Sequence, residues 1–209
     1  MERLMSDRWS KMGEGLGEVA TVVRAQAVPG HESGREPRRG MHVSVRTSMP
    51  GDDERLRAMF VRSSAETIYS RFHTPFQKVP GWMVKLMVGS DHHDKEVLIA
   101  VAGDEIVGHA MFVRLGDSDE AEMAIIVEDR WQSNGVGKML VSELTRRARL
   151  RGIETFTAEV LLENHRMLGL AAKFAGTGYT MEDGVSHVRM PLRAPDSTTD
   201  TAQTVRRAA

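Results

Sequence analysis

The stretch Ala121-Glu122-Met123-Ala124-Ile125-Ile126-Val127-Glu128-Asp129-Arg130-Trp131-Gln132-Ser133-Asn134-Gly135-Val136-Gly137-Lys138-Met139-Leu140 changes its periodicity partway along. Its apolar first third predicts a strand, with Glu122, Ala124 and Ile126 on one face. A polar loop follows, and two glycines then open a helix. A helix N-terminus presents unpaired N–H groups and the positive end of its dipole. Glycines there let a phosphate come close to the backbone, so this first turn reads as a pyrophosphate cradle. Two better-known phosphate motifs fail on named residues. A nucleotide-hydrolysing P-loop needs a hydroxyl after Gly-Lys, but Met139 follows Lys138, and no glycine heads the motif. A dinucleotide fingerprint needs a third glycine where Leu140 stands.

The pattern on either side alternates strands with helices. Val43, Val45 and Thr47 alternate with polar neighbours in a strand over 42–48, and Pro50-Gly51-Asp52-Asp53 turns into a helix over 52–63. Further helices are predicted over 64–72 and 81–89. Strands over 97–102 and 106–115 flank the Gly103-Asp104 turn as a hairpin. The helix over 135–151 carries Leu140, Leu144 and Ala148 on one face and Arg146, Arg147, Arg149 and Arg151 on what is expected to be a solvated one. A strand over 155–161, a helix over 164–174 and a hairpin within 179–192 complete the order β-α-α-α-β-β-β-α-β-α-β-β. Met83, Met87, Met139 and Met167 are expected to fill core gaps, and Tyr179 to be strand core. Adjacent histidines in Asp91-His92-His93-Asp94 are expected to point apart rather than share a metal, so no metal site is assigned.

Composition bounds the rest. A formal charge of -1 in 209 residues advertises no nucleic-acid or anionic-membrane partner. The chain has no cysteine, which excludes disulfides, thiolate zinc sites and a thiol nucleophile, and fits a reducing cytoplasm. No apolar run reaches the roughly 18–20 residues of a membrane helix, and residues 1–23 lack a signal-peptide core. Residues 1–40, rich in Gly, Arg, Glu and Pro, are expected to be a disordered tail, with a short helix between Trp9 and Ala27 and a candidate start at Met41. One domain is expected over 41–192, and residues 193–209 are expected to be a second disordered tail.

Gln132-x-x-Gly135-x-Gly137, with this β/α order, resembles the acetyl-CoA signature of the GNAT N-acetyltransferases, and the resemblance runs from Val43 to Leu192. Ser64-Ala65-Glu66-Thr67-Ile68-Tyr69-Ser70-Arg71-Phe72, Ala121-Glu122-Met123-Ala124 and Glu163-Asn164-His165-Arg166-Met167 are similar to the GNAT module of bacterial Pat-type protein lysine acetyltransferases. In relatives that module is often fused to an acyl-CoA-synthetase-like or cyclic-nucleotide-binding domain, and this chain shows neither. The resemblance implies an α/β GNAT-type domain with a mixed, mostly antiparallel central sheet and helices on both faces. It implies that the backbone of Ile125, Ile126 and Val127 pairs with the pantetheine arm of acetyl-CoA. The N–H groups of Gln132, Ser133, Asn134, Gly135, Val136, Gly137 and Lys138 hold the pyrophosphate, and Asn164 contacts the cofactor arm. Glu122 matches the family's general base, with Asp119 and Glu120 as nearby rivals, and a backbone N–H near Val127 would stabilise the oxyanion. The tyrosine that many relatives place on the helix after the asparagine is missing from Leu170-Ala171-Ala172-Lys173, so no acid for the leaving thiolate is assigned. Three activities stand open: acetylation of protein lysines, of a small amine such as an amino acid, polyamine or antibiotic, or non-catalytic sensing of acetyl-CoA.

Overall fold

Alternation in the strands and 3.6-residue periodicity in the helices both survive into three dimensions in the computed structural model, which describes residues 42–174 and 176–192. The expectations for 1–40 and 193–209, for the Trp9–Ala27 helix and for a start at Met41 lie outside the described residues. In chain order the elements are β1 (Val43–Thr47), α1 (Asp53–Arg62), α2 (Ala65–Phe72), α3 (Gly81–Leu86), β2 (Lys95–Ala102), β3 (Glu105–Arg114), β4 (Glu120–Val127), a 3₁₀ turn (Asp129–Trp131), α4 (Val136–Arg149), β5 (Thr155–Leu161), α5 (His165–Ala171), β6 (Gly178–Glu182) and β7 (Val185–Pro191). The order matches the expected one, with only the 3₁₀ turn added.

The strands form one seven-stranded sheet in the order β1-β2-β3-β4-β5-β7-β6. Every neighbouring pair is antiparallel except β4 and β5, which run parallel. Helices cover both faces. On one, α4 buries Val136, Leu140, Val141, Leu144 and Ala148 against Leu98, Ala110, Phe112 and Phe156. Leu140 and Leu144 are fully buried, and each such side chain stabilises the fold by about 1.5–3 kcal/mol. On the other face, Leu56, Met59, Ile68, Phe72, Met83 and Val84 of α1–α3 pack on Ile99, Ile106, Met111 and Ile126. The sheet is therefore the mixed, mostly antiparallel one expected, with helices on both sides.

Gly108 sets how closely α4 approaches. A Cβ there would lie 2.9 Å from Leu140 Cδ1 and 3.3 Å from Val136 Cγ1, so any larger residue would require the Leu140 side chain to shift where the first turn of α4 rests on β3.

Several expectations need correction. Arg147 and Arg151 are not a solvated face: both pair with Glu96 of β2, at 2.5 Å each, and Glu96 has no exposed surface. Thr47 and His92 also reach that carboxylate, each at 3.3 Å. Arg146 and Arg149 are exposed, as expected, Arg146 pairing with Glu143 and Arg149 donating to the Leu192 carbonyl. Tyr179 is 43% exposed rather than core, because every residue of edge strand β6 faces solvent. Met83 and Met87 are buried, whereas Met139 is 41% exposed on the outer side of α4. His92 turns to Glu96 and His93 to Asp94. Among the described residues, no helix is long and apolar enough to cross a membrane.

Candidate functional site

The parallel seam between β4 and β5 consists of three residue pairs, Glu120–Thr155, Ala121–Phe156 and Glu122–Thr157. Beyond them the strands part, and a cleft of about 1590 Å³ opens between them. Its walls are the second half of β4, the last turns of α2, the start of α4, and α5 with the end of β5. That volume exceeds the ~300–1,000 Å³ of an ordinary small-molecule pocket.

Register decides which backbone groups face the cleft. Hydrogen-bonded and non-bonded pairs alternate along an antiparallel ladder. Leu115 N–H donates to the Glu120 carbonyl at 2.9 Å, and Glu128 N–H donates to the Val107 carbonyl at 3.0 Å. The even-numbered residues of β4 therefore turn their N–H and C=O groups toward β3. Met123, Ile125 and Val127 turn theirs the other way, into the parting. Ile126 thus departs from its expected role: its main chain belongs to the ladder with His109, while Met123, not singled out from sequence, faces the opening.

At one end of the cleft lies the glycine turn. Ser133 and Gly135 take positive φ values of 61° and 83°, bending the chain so that α4 starts facing the cleft. The first helical N–H to find an intrahelical acceptor is that of Met139, on Gly135 C=O at 3.0 Å, so the N–H groups of Val136, Gly137 and Lys138 precede the ladder. Gln132, Ser133, Gly135, Gly137 and Lys138 line the cleft. Val136 is not part of that lining, its side chain being buried in the core. Asn134 lies off the lining, its amide donating to the Gln132 carbonyl at 2.9 Å.

Gly135 and Gly137 differ in what they require. An L-residue at the φ of Gly135 is strained by about 1 kcal/mol. A Cβ on Gly137 would sit 3.9 Å from Ile125, Val127 and Leu170, which is ordinary contact. Thermal melts of Gly135→Ala and Gly137→Ala should therefore show a loss of roughly 1 kcal/mol for the first and little change for the second.

The loop before the turn is held by the opposite face of the molecule. Glu128 is buried and pairs with Arg62 of α1 at 2.9 Å. The Asp129 carboxylate accepts from Ser64 N–H (2.8 Å), Ser64 Oγ (2.6 Å) and Thr67 Oγ1 (2.8 Å), so it anchors the N-terminus of α2. Gln132 Nε2 donates to Thr67 Oγ1 and to the Val127 carbonyl, both at 3.0 Å. The Gln132 side chain thus ties loop to strand, leaving its backbone to face the cleft. Nothing in the sequence marks Ser64, Thr67 and Asp129 as partners, because they lie more than 60 residues apart.

Burial favours protonation of Asp129, but the bonds from Ser64 and Thr67 outweigh it and hold the carboxyl below its ordinary 3.8. Glu143 is held down to about 2, first by Arg146 and against a smaller opposing effect of burial, with Arg147 adding. Both folded values lie below the unfolded ones, so this stability is complete above the unfolded pKa and is lost as pH falls through the folded one. Urea titrations across pH should show stability falling between about 4.5 and 2, with a shallower slope in Asp129→Asn.

At the other end stands Glu122, half-buried, on the α1–α3 side of the sheet with Ala124 and Ile126. Arg71 and Tyr69 of α2 line the same end. Glu120 does not compete for that position, since its carboxylate is bound bidentately by Arg189 at 2.7 and 2.8 Å. Across the cleft, Asn164 caps α5, its Oδ1 accepting Met167 N–H at 3.1 Å, and it also lines the opening. Glu122, the odd-numbered backbone of β4, the glycine turn and Asn164 are thus brought to one cleft.

Comparisons with known proteins agree with this geometry. Residues 59–176 match the model of the acetyltransferase (GNAT) family. The acetyltransferase Pat of Mycolicibacterium smegmatis is 32% identical over 133 residues, which cover 62% of this chain. The chain spans 40% of that relative's length. The GNAT domain of S. lividans PAT superposes with a TM-score of 0.66 at 32% identity, over 70% of this chain and 89% of that one. A cAMP-binding acyltransferase from Mycobacterium smegmatis gives 0.53 at 25% identity, over 79% and 48% of the two chains. A putative acetyltransferase from Salmonella typhimurium, yncA, solved with its cofactor acetyl-CoA, gives 0.55 over 74% and 98%; at 18% identity it is a likeness of fold.

Proposed function

The chain belongs to the acetyltransferase (GNAT) family, and from that premise we propose that it transfers the acetyl group of acetyl-CoA to lysine side chains of proteins, with Glu122 as the base. The observation that carries this reading is the parting of β4 from β5 just after Glu122, which leaves one continuous cleft from that carboxylate to the glycine turn. Acetyl-CoA is the co-substrate. Its pyrophosphate meets the backbone N–H groups of Gln132 to Lys138 at the positive end of α4. Its pantetheine amides pair with the outward-facing backbone of Met123, Ile125 and Val127, and Asn164 closes the other side. The thioester then lies toward Glu122.

A lysine amine is protonated at neutral pH, its reference pKa being near ~10.4. Glu122 accepts that proton, directly or through water, and the freed lone pair attacks the thioester carbonyl carbon. A tetrahedral oxyanion forms, stabilised by a backbone N–H of the parted strand. As it collapses, the C–S bond breaks, the amide remains, and the thiolate leaves to take a proton from solvent. No side chain is assigned as its acid.

The Pat relatives support a protein acceptor, and so does a cleft volume that leaves room beyond the cofactor. The cysteine-free composition supports a reducing compartment such as the cytoplasm. The test is acetyl-CoA turnover against a cell lysate and a purified acyl-CoA synthetase, with acetyl-lysine read by mass spectrometry. New acetyl-lysine sites with the wild-type chain support the reading; none, alongside transfer to small amines, replaces it with small-amine acetylation.

A further inference from the structure

We propose that Arg71 is a fixed positive charge in the acceptor half of the cleft that disfavours the ammonium form of the arriving amine and so selects the neutral nucleophile. The proposal rests on the reading of Glu122 as base and goes beyond it, since the charge acts on the acceptor.

The last turn of α2 places Arg71 in the cleft wall while its neighbour Phe72 is buried in the core. The guanidinium lies 5.0 Å from the centre of the Phe72 ring, and Nη2 is 4.0 Å from Met111 Sδ. Its Nε is buried and makes no hydrogen bond. A guanidinium carries five N–H donors, so most of this one's capacity is left unused by the protein. A leucine or methionine would fill such an apolar wall without the cost of burying a charge. Among the described residues the charge of Glu122 is what offsets the cost of this cation, so the two charges face the same end of the cleft.

Burial lowers Arg71 to about 10, with the charge of Glu122 opposing, so the group remains a cation at neutral pH. Its field also reaches His109 of β3, which burial, and then Arg71, push down to about 3. His109 is thus neutral, its Nε2 contacting the Met87 carbonyl at 2.8 Å, and it supplies no competing charge. Other ionisable groups lining the cleft from the elements around Arg71 and Glu122 are Glu66 and His73 at the two ends of α2, Arg114 on β3 and Glu159 on β5.

An ammonium drawn to Glu122 enters the field of Arg71. A like charge nearby shifts a proton equilibrium toward the neutral form. An amine beside a second cation is an activated nucleophile for that reason. The proton passes to the Glu122 carboxylate, the lone pair forms the C–N bond as the C–S bond breaks, and Arg71 keeps its own proton throughout.

Two measurements on the full chain test this. With a purified acyl-CoA synthetase as acceptor, Arg71→Met should lower kcat and the acceptor KM together, each about tenfold, because the ammonium then binds better and reacts worse. Arg71→Lys should restore both. A kcat loss with KM unchanged or raised, or no recovery in the lysine variant, would overturn the proposal. The second measurement needs no turnover: calorimetric titration of CoA-saturated protein with n-butylamine, the lysine side chain from Cβ outward, in buffers of unlike ionisation heat. Arg71→Met should bind it about tenfold more tightly than wild type; with Glu122→Gln as the common background, where no carboxylate takes the proton, the chain that keeps Arg71 should release a proton to the buffer and the one with Arg71→Met none. Equal affinity in the two proteins, or no detectable binding by either, counts against it. Full activity in Glu122→Gln would remove the base reading alone, leaving the titration to decide on Arg71.

Discussion

Glu122→Gln should reduce acetyl transfer by about two to four orders of magnitude while leaving the affinity for acetyl-CoA unchanged. The substitution keeps the shape of the side chain and removes its ability to take a proton. The groups proposed to hold the cofactor lie further along β4 and in the turn after it, so they are not disturbed. Arg189 holds Glu120 in a bidentate pair, which leaves that neighbour poorly placed to substitute. Thiol-release kinetics and calorimetry with coenzyme A measure the two halves separately. A normal rate in the variant would remove Glu122 from the mechanism. Unchanged cofactor binding with no turnover in the wild type would instead favour a sensor of acetyl-CoA.

The second large effect concerns folding. Glu96 is fully buried on the α4 side of the sheet, and Arg147 and Arg151 supply its two short ion pairs. Replacing both arginines with methionine strands a charge in the core. Breaking a buried pair by removing one side costs about 3–5 kcal/mol. For a protein of this size, each kcal/mol lowers Tm by roughly 2–4 °C. Arg147→Met/Arg151→Met should therefore melt about 6–20 °C below wild type. Adding Glu96→Leu to that pair should recover most of the loss, because an apolar trio of similar volume carries no stranded charge. A double variant that melts with wild type would mean that Glu96 is accommodated without the arginines.

How legible these features were in the sequence depended on the distance between partners. Elements rested on local periodicity, and β4 and α4 stand within a residue or two of where alternation and the Leu140–Leu144–Ala148 spacing put them. The turn into α4 was legible because two glycines two residues apart announce a tight bend. The clasp around Glu96 was not, since Arg147 and Arg151 lie 51 and 55 residues further on. Their helical spacing alone looks like any charged surface stripe. Gly108 was not legible for a similar reason: only the arrival of α4 gives a Cβ there something to collide with. Tyr179 was misjudged because alternation in a strand does not reveal whether that strand is central or at the edge, and β6 is at the edge. The choice between Met123 and Ile126 at the opening turns on hydrogen-bond parity, which is a property of β3 and β4 together.

The brief parallel seam has a mechanical meaning as well. The sheet consists of two leaves, β1 to β4 and β5-β7-β6, zipped together over three rungs and sharing the core beneath α4. In the proposed binding mode, an extended molecule with amides of its own, seated in the wedge, would continue the zipper where the polypeptide abandons it. The co-substrate would then serve as a borrowed strand, and the two leaves would be most firmly joined while it is bound.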